Sequence, residues 1–189
     1  GMLAALKEDF LDEDLSVEDG VEMIKLMEKS LRRGMRTVDD VLDYAKAGQN
    51  LEVSNCNMDR ELEDIVDGFS DREGAIFTLK PLGEFAVDAG AFKKVFHNLI
   101  ENALKYNVKS KKIVKLYRIE DTIYVEDNGN GIEEKYFHKI LKPFQRLDSN
   151  TKGTGLGLGI VNKIIELHGY KLVVESTVGE GSKFKIILN

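Results

Sequence analysis

Three clusters of side chains in this 189-residue chain have types and spacings that chemistry could use. In AGAFKKVFHNLIENALKYN, Asn98, Asn102 and Lys105 lie four and three residues apart, so a helix would set them on one stripe. A carboxamide oxygen is a hard, neutral ligand that suits Mg2+, which keeps several waters and needs few protein ligands. The ammonium can neutralise phosphate. Taken alone, such a stripe reads more readily as the solvated flank of a helix. VEDNGNGI places Asp127, Gly129 and Gly131 at the end of an expected strand. A carboxylate there can accept a hydrogen bond from an exocyclic amine, and the glycines let the backbone approach a flat ligand. In isolation the same letters spell a better Asp-Asn-Gly turn. In GTGLGLGIV, glycine occupies 153, 155, 157 and 159 just where a helix should start. Each costs up to about 1 kcal/mol in a helix relative to alanine. That fits a loop laying N–H groups against an anion, or a flexible turn. The spacing matches neither G-x-G-x-x-G nor G-x-x-x-x-G-K-[ST], so no Rossmann site or P-loop is indicated.

The elements that must position these clusters are legible in the pattern. Asp88 is a good N-cap for the 89–107 helix, whose apolar stripe of Phe92, Val95, Phe96, Leu99, Ala103 and Tyr106 should meet a sheet. IVKLYRI and DTIYVED read as a hairpin turning at Glu120-Asp121, and KLVVEST and SKFKIIL as another, with Phe184, Ile186 and Leu188 facing one way. GIVNKIIELHG is an amphipathic helix with Val161, Ile164, Ile165 and His168 along one side. Upstream, LEVSN, AIFTLK and EFAV read as strands, and Asn57 as the cap of the helix MDRELEDIVDGF. The segment after Gly131 should be helical to Leu141, stop at Pro143 and leave QRLDSNTK as a lid. KSKKIVK (109–115) reads as a solvated strand edge. Hairpins interleaved with helices imply an α+β sandwich and not a doubly wound parallel fold.

Before all this runs a helix over about 19–47. Ile24, Leu31, Val38 and Ala45 recur every seven residues, with Met27, Gly34 and Val41 between them, as in a helical-bundle seam that faces a partner. MLAALKEDFL reads as a preceding short helix and DEDLSVEDG as the turn between the two. With 27 basic against 33 acidic residues the net charge is −6, which argues against a nucleic-acid partner held by counterion release. The single Cys56 excludes an internal disulfide and a CxxC metal site, and suits a reducing cytosol. No apolar stretch reaches the roughly 18 residues of a membrane span. The expected location is therefore cytoplasmic, with no membrane segment in this stretch, although a longer parent protein could be anchored. Gly1-Met2 reads as a tag-cleavage scar before an internal methionine, so a fragment is expected.

NLIENALKY, VEDNGNGI, LKPFQRL and GTGLGLGIV, in this order, resemble the N, G1, F and G2 boxes of histidine kinase ATP-binding domains, and VGEGSKFKI resembles their closing strand pair. The resemblance runs from about Leu51 to the C-terminus, and FQRL with VLDYAKAG upstream is similar to the branch that includes phytochrome-type sensors. It implies the fold shared with gyrase-type ATPases: a two-layer α/β sandwich, its mixed, mainly antiparallel sheet covered on one face by helices, here with a long N-terminal helix. It also implies roles. Asp127 would take the adenine amino group, where guanine would present a repelled carbonyl. Asn102 would hold Mg2+, with Asn98 supporting the metal or phosphate region. Lys105 would reach the phosphates, Tyr106 would pack near the nucleotide, and Arg146 would approach the γ-phosphate. Gly153, Gly155 and Gly157 would present N–H groups to the phosphates. Gly129, Gly131, Ile132, Thr154, Leu156 and Leu158 complete the implied ATP-contacting set.

Position 98 separates branches of the superfamily: gyrase-like ATPases carry a water-activating glutamate four residues before the metal asparagine, and an asparagine cannot act as a base. Glu101 projects about 100° away from Asn102 around the helix. The resemblance therefore implies a kinase that passes phosphate to a histidine on a dimerisation helix, for relay to the receiver domain of a response regulator. Residues 1–48 would be the remnant of that dimerisation segment, self-associating through the 19–47 helix, and 51–189 the catalytic domain. His97, His138 and His168 lack the acceptor context, so autophosphorylation of this stretch is not expected. The alternatives are a non-catalytic, nucleotide-gated dimerisation module and a water-hydrolysing ATPase of the same fold. Leu141 stands where the family usually has phenylalanine, and Gly159 where it usually has alanine or serine. The second departure reads as loosening a helix start without removing a contact group.

Overall fold

The computed structural model describes residues 16–47, 51–69, 74–147 and 154–188. The expected first helix, the first part of its turn, most of the lid and Gly153 lie outside these, while the last four residues expected in that turn, 17–20, are helical. Two compact units divide the chain, one through Val41 and the other from Leu42. Helix α1 spans Val17–Lys46, and Ser16 opens it by accepting from the Asp19 N–H at 3.1 Å. Its heptad positions Ile24, Leu31, Val38 and Val41 are all exposed, as a seam without a covering layer among the described residues must be.

In the second unit, β1 (Ser54–Asn57) and β3 (Glu84–Val87) form a two-stranded antiparallel sheet. The first strand thus starts three residues later than LEVSN implied. Between them come α2 (Asp59–Asp67), whose first N–H bonds Asn57 Oδ1 at 2.9 Å, and β2 (Ala75–Leu79). Helix α3 (Ala89–Lys105) leads to β4 (Lys112–Ile119) and β5 (Thr122–Asp127). A 3-10 turn at Glu134–Tyr136 and the one-turn α4 (Phe137–Ile140) end before Pro143. Helix α5 (Gly157–Leu167) is followed by the hairpin of β6 (Lys171–Thr177) and β7 (Gly181–Ile187).

The main sheet has the order β2-β4-β5-β7-β6, with only the β2–β4 pair parallel. Alternation sorts its two faces. Val114, Leu116, Ile123, Val125, Phe184 and Ile186 are buried on the face that carries the helices, in one core with Phe92, Val95, Phe96 and Leu99 of α3 and Val161, Ile164 and Ile165 of α5. The opposite face carries Lys115, Tyr117, Tyr124, Glu126 and Lys183. There Tyr117 and Tyr124 stack at 4.9 Å, and the Tyr117 hydroxyl donates to Glu126 at 3.0 Å. Burial and that bond push the Tyr117 hydroxyl up to about 12.

Two expectations are corrected. KSKKIVK is no edge: β4 is an interior strand, because the α3 crossover lays β2 outside it in parallel. Its lysines act locally, Lys112 Nζ donating to the Leu104 carbonyl at the end of α3 and Lys109 Nζ to the Gly179 carbonyl. Tyr106 leaves the apolar stripe, since it is the C-cap of α3 and 41% exposed.

Candidate functional site

The site is built around α3. Asp88 begins it, its Oδ1 accepting from the Ala91 N–H at 2.9 Å and its Oδ2 from the Glu52 N–H. These bonds, Ala91 first, hold its carboxyl below the usual aspartate range. One turn of α3 apart, Asn98 and Asn102 look toward the start of α5. A Cβ on Gly157 would lie 2.7 Å from Asn98 Oδ1 and 3.8 Å from Asn102 Nδ2. Asn98 Nδ2 donates to the Lys94 carbonyl at 2.8 Å, which turns its oxygen toward Gly157. The first N–H groups of a helix have no intrahelical acceptors, so the α5 start has the chemistry to seat an anion beside two carboxamides. Thr154 Oγ1 accepts from the Leu156 N–H just before it, Leu156 is fully buried, and Leu158 is half-buried within the first turn.

At the other end of the site lies Asp127, the last residue of β5. The Gly129 and Ser182 N–H groups donate to its Oδ1 at 2.7 and 3.3 Å. Burial nevertheless pushes its carboxyl above the usual aspartate range, with Glu126 adding to the rise and Lys109 opposing it. An ionised carboxylate offers about four acceptor positions, so two remain for an incoming donor. Gly129 is wedged between this carboxylate and the Tyr106 carbonyl, where a Cβ would come within 2.8 and 2.9 Å. Gly131 has φ +70°, and a Cβ there would overlap the Thr177 carbonyl. Ile132 follows, its N–H donating to Ser176 Oγ at 2.8 Å.

Around these glycines runs a lattice that sequence reasoning missed. Buried Asn107 donates to Asn128 Oδ1 at 2.7 Å, and that oxygen also accepts from the Ile113 N–H. Asn130 bonds the Tyr106 carbonyl through its N–H at 3.0 Å. The loop after Asp127 is thereby tied to the end of α3 and the start of β4. The asparagines at 107 and 128 were visible as a signal; the Ser182 N–H, a backbone group in a distant strand, carries no letter of its own.

Lys105 lies with its ammonium 4.7 Å from the Tyr106 ring centre, so the structure keeps these neighbours together at the end of α3. Arg146 is half-buried, and a Cβ on Gly155 would meet its Cγ at 3.1 Å and the Gln145 carbonyl at 2.9 Å. Gly159 proves to be a contact point after all: a Cβ there would lie 3.1 Å from Pro143 Cα and 3.2 Å from its nitrogen. Glycine at 159 is what lets the LKPF segment settle on α5. Among the described residues no group of three or more His, Cys, Asp or Glu side chains could hold a metal ion. Any divalent cation here would rely on a carboxamide, on water and on phosphate oxygens, which is a donor set Mg2+ accepts.

Residues 87–189 match the family model of histidine kinase-, DNA gyrase B-, and HSP90-like ATPases. The chain is 36% identical over 184 residues to Cyanobacterial phytochrome B of Nostoc sp., covering 89% of this chain and 24% of the phytochrome. It is 30% identical over 192 residues to the signal transduction histidine-protein kinase ArlS of Staphylococcus aureus, covering 92% of this chain and 39% of ArlS. The fold superposes on full-length ShkA, solved in complex with AMPPNP, with a TM-score of 0.71 at 22% identity, covering 91% of this chain and 39% of ShkA. This chain thus spans about a quarter of the phytochrome and well under half of ArlS. It belongs to the histidine kinase-, DNA gyrase B-, and HSP90-like ATPase family, as an α+β ATP-binding domain homologous to those of sensor histidine kinases.

Proposed function

We propose that this chain binds Mg-ATP between Asp127 and the start of α5 and transfers its γ-phosphate to a histidine on a dimerisation helix, for relay to a response-regulator aspartate. The observation that carries this reading is the seat of Gly157 against Asn98, with Asn102 one turn on. It puts a helix start suited to an anion beside two neutral carboxamides, with Asn98 where a hydrolytic relative would carry a base. Asp127 would take the adenine amino group through its remaining acceptor positions, while Gly129, Gly131 and Ile132 keep the floor flat. Asn102 would hold Mg2+, which when bound neutralises phosphate charge. Asn98, Lys105, Thr154, Leu156 and Leu158 would orient the triphosphate, Tyr106 would lie near the nucleotide, and Arg146 would stabilise charge on the transferring group. Gly153 and Gly155 would complete the loop that covers it.

Asn98 favours a kinase over a hydrolytic ATPase. A carboxamide cannot accept the proton of an attacking water, and its Nδ2 is already spent on Lys94. In this reading 51–189 is the catalytic domain and 1–48 belongs to a dimerisation segment, which supports self-association through the exposed seam of α1. No described helix is long and apolar enough to cross a membrane.

The test is calorimetric titration with Mg-ATP and Mg-GTP, followed by transfer from γ-labelled ATP onto a histidine-bearing dimerisation helix supplied in trans. ATP binding without GTP binding, weakened about 10- to 100-fold by Asp127→Asn, is expected for a lost charged hydrogen bond. Equal affinity for both nucleotides, or binding indifferent to Asp127→Asn, would overturn the site. Binding without transfer would leave the non-catalytic module.

A further inference from the structure

His168 lies outside the proposed contact set, at the opposite end of α5 from Gly157, yet both of its ring nitrogens are committed. The Asp88 N–H donates to Nε2 at 3.0 Å, and Nδ1 lies 2.7 Å from the Ile164 carbonyl. An acceptor at Nε2 and a carbonyl facing Nδ1 leave one arrangement: a neutral ring with its proton on Nδ1. Phe92 meets the ring edge-on at 5.0 Å and Tyr170 stacks at 6.1 Å. The backbone beneath is fixed by a paired helix stop, with the Gly169 N–H on the Glu166 carbonyl and the Tyr170 N–H on the Ile165 carbonyl.

Helices α3 and α5 therefore run antiparallel and are pinned at two points. Near one end His168 holds Asp88, the N-cap of α3; near the other Gly157 meets Asn98. Between them lie Ile160, Val161, Ile164 and Ile165, all buried and apolar. Hydrophobic contact is non-directional and fixes the distance between two helices better than their axial register. A directional bond can fix register, and a helix about 15 Å long transmits an axial slip from end to end. The contact at Gly157 is close, a Cβ there meeting Asn98 Oδ1 at 2.7 Å unless that side chain turns, so its two signals report such a slip.

We propose that His168 is a positioning residue: by accepting the Asp88 N–H it sets the register of α5 along α3 and so holds the start of α5 against Asn98 and Asn102. Its effect on nucleotide affinity rests on the site proposed above, whereas its effect on register does not.

Three substitutions separate this role from general support. In His168→Gln the side-chain oxygen reaches the place of Nε2 and keeps the bond to Asp88. In His168→Asn the amide reaches only the place of Nδ1, keeping Ile164 and losing Asp88. His168→Phe keeps the ring packing and loses both. Backbone NMR of the nucleotide-free proteins reads Gly157 and Asn98, and calorimetry reads Mg-ATP affinity, with melting curves alongside. The Asn and Phe variants are expected to shift the Gly157 and Asn98 signals and weaken ATP about tenfold, the effect of one lost hydrogen bond. The Gln variant should restore both to near wild type, whatever the order of melting temperatures. Unmoved Gly157 and Asn98 signals in the Asn variant, or a Gln variant as impaired as Asn, would overturn the proposal. If the Phe variant does not fold, the Asn and Gln pair decides. If the parent protein binds no ATP, the site reading fails and the nucleotide-free signals still decide the register.

Discussion

At the Asp127 end of the site two glycines press on main-chain carbonyls, whereas at the Gly157 end the glycine faces only side chains. Gly131 presses on the Thr177 carbonyl and Gly129 on the Tyr106 carbonyl, and two N–H groups converge on one carboxylate oxygen. At Gly131 nothing can give way without moving the end of β6. Gly157 instead faces the tip of Asn98, and Gly155 faces both the Gln145 carbonyl and the side chain of Arg146. The Asp127 end, proposed to take the base, is thus preorganised by the sheet, while the Gly157 end, proposed to take phosphate, is assembled by two packed helices. Binding energy spent on ordering should concentrate at the second.

The comparison predicts its largest effect at Gly131. Its φ of +70° strains any L side chain, and a Cβ would overlap backbone. Gly131→Ala should cost about 2–5 kcal/mol, the sum of left-handed strain and overpacking. Urea unfolding measures it; a loss below about 1 kcal/mol would mean the turn is not locked by main chain.

Asp127→Asn should behave oppositely on stability while removing adenine selection. The folded carboxyl is held above its unfolded value by burial, so the folded state binds a proton more readily, and stability falls as pH rises through that raised value. The carboxylate is therefore a net cost at neutral pH. The variant should melt no lower than the parent at pH 7, and that relative advantage should vanish in acid. In the parent, ATP affinity should fall as pH drops through the same raised value, because the protonated group loses acceptor capacity. A variant that melts well below the parent at pH 7 would show that the carboxylate is a structural keystone.

The parts legible in the sequence were those set by neighbours along the chain. The Asp88 cap, the turn at Glu120 (φ 51°) and the buried side of α5 at Val161, Ile164 and Ile165 follow from local rules and came out as read. What depended on the third dimension did not. KSKKIVK looked like an edge because nothing in its letters reveals that a parallel strand covers it. Tyr106 continues the apolar spacing of α3, yet the helix stops beneath it and the ring swings into solvent. Gly159 looked like a weakness because its partner, Pro143, is sixteen residues away in the chain. The roles proposed for Asn98, Asn102 and Asp127 rest on the order of four boxes, since each box alone passes for a turn or a flank.

Asp88 tests the far end of α3, where cap, strand and His168 meet. Asp88→Ala should cost about 1 kcal/mol, the usual loss of an N-cap. Asp88→Asn keeps a capping oxygen but cannot titrate. Because bonds from Ala91 and Glu52 lower the folded carboxyl, its contribution is complete above the unfolded aspartate range and is lost as pH falls through the lowered value. Melting curves of the parent and the Asn variant should therefore converge in strong acid. Parallel curves over the whole range would mean the charge contributes nothing.

The smallest effect is expected at Gly157, and its smallness is the point. Alanine gains up to about 1 kcal/mol of helix propensity there, while its methyl must push Asn98 Oδ1 from 2.7 Å. Because the obstacle is the end of a side chain, Asn98 can turn aside, and the melting temperature should hardly change. Turning aside breaks the bond to the Lys94 carbonyl and withdraws the oxygen that faces the helix start. Gly157→Ala should therefore keep stability and lose about three- to tenfold in Mg-ATP affinity, in proportion to one neutral hydrogen bond. A second change, Asn98→Ala, should add nothing further to that loss, since both act through the same oxygen. If the two losses multiply, the helix start and Asn98 act independently, and the Gly157 end is as rigidly set by main chain as the end that holds Asp127.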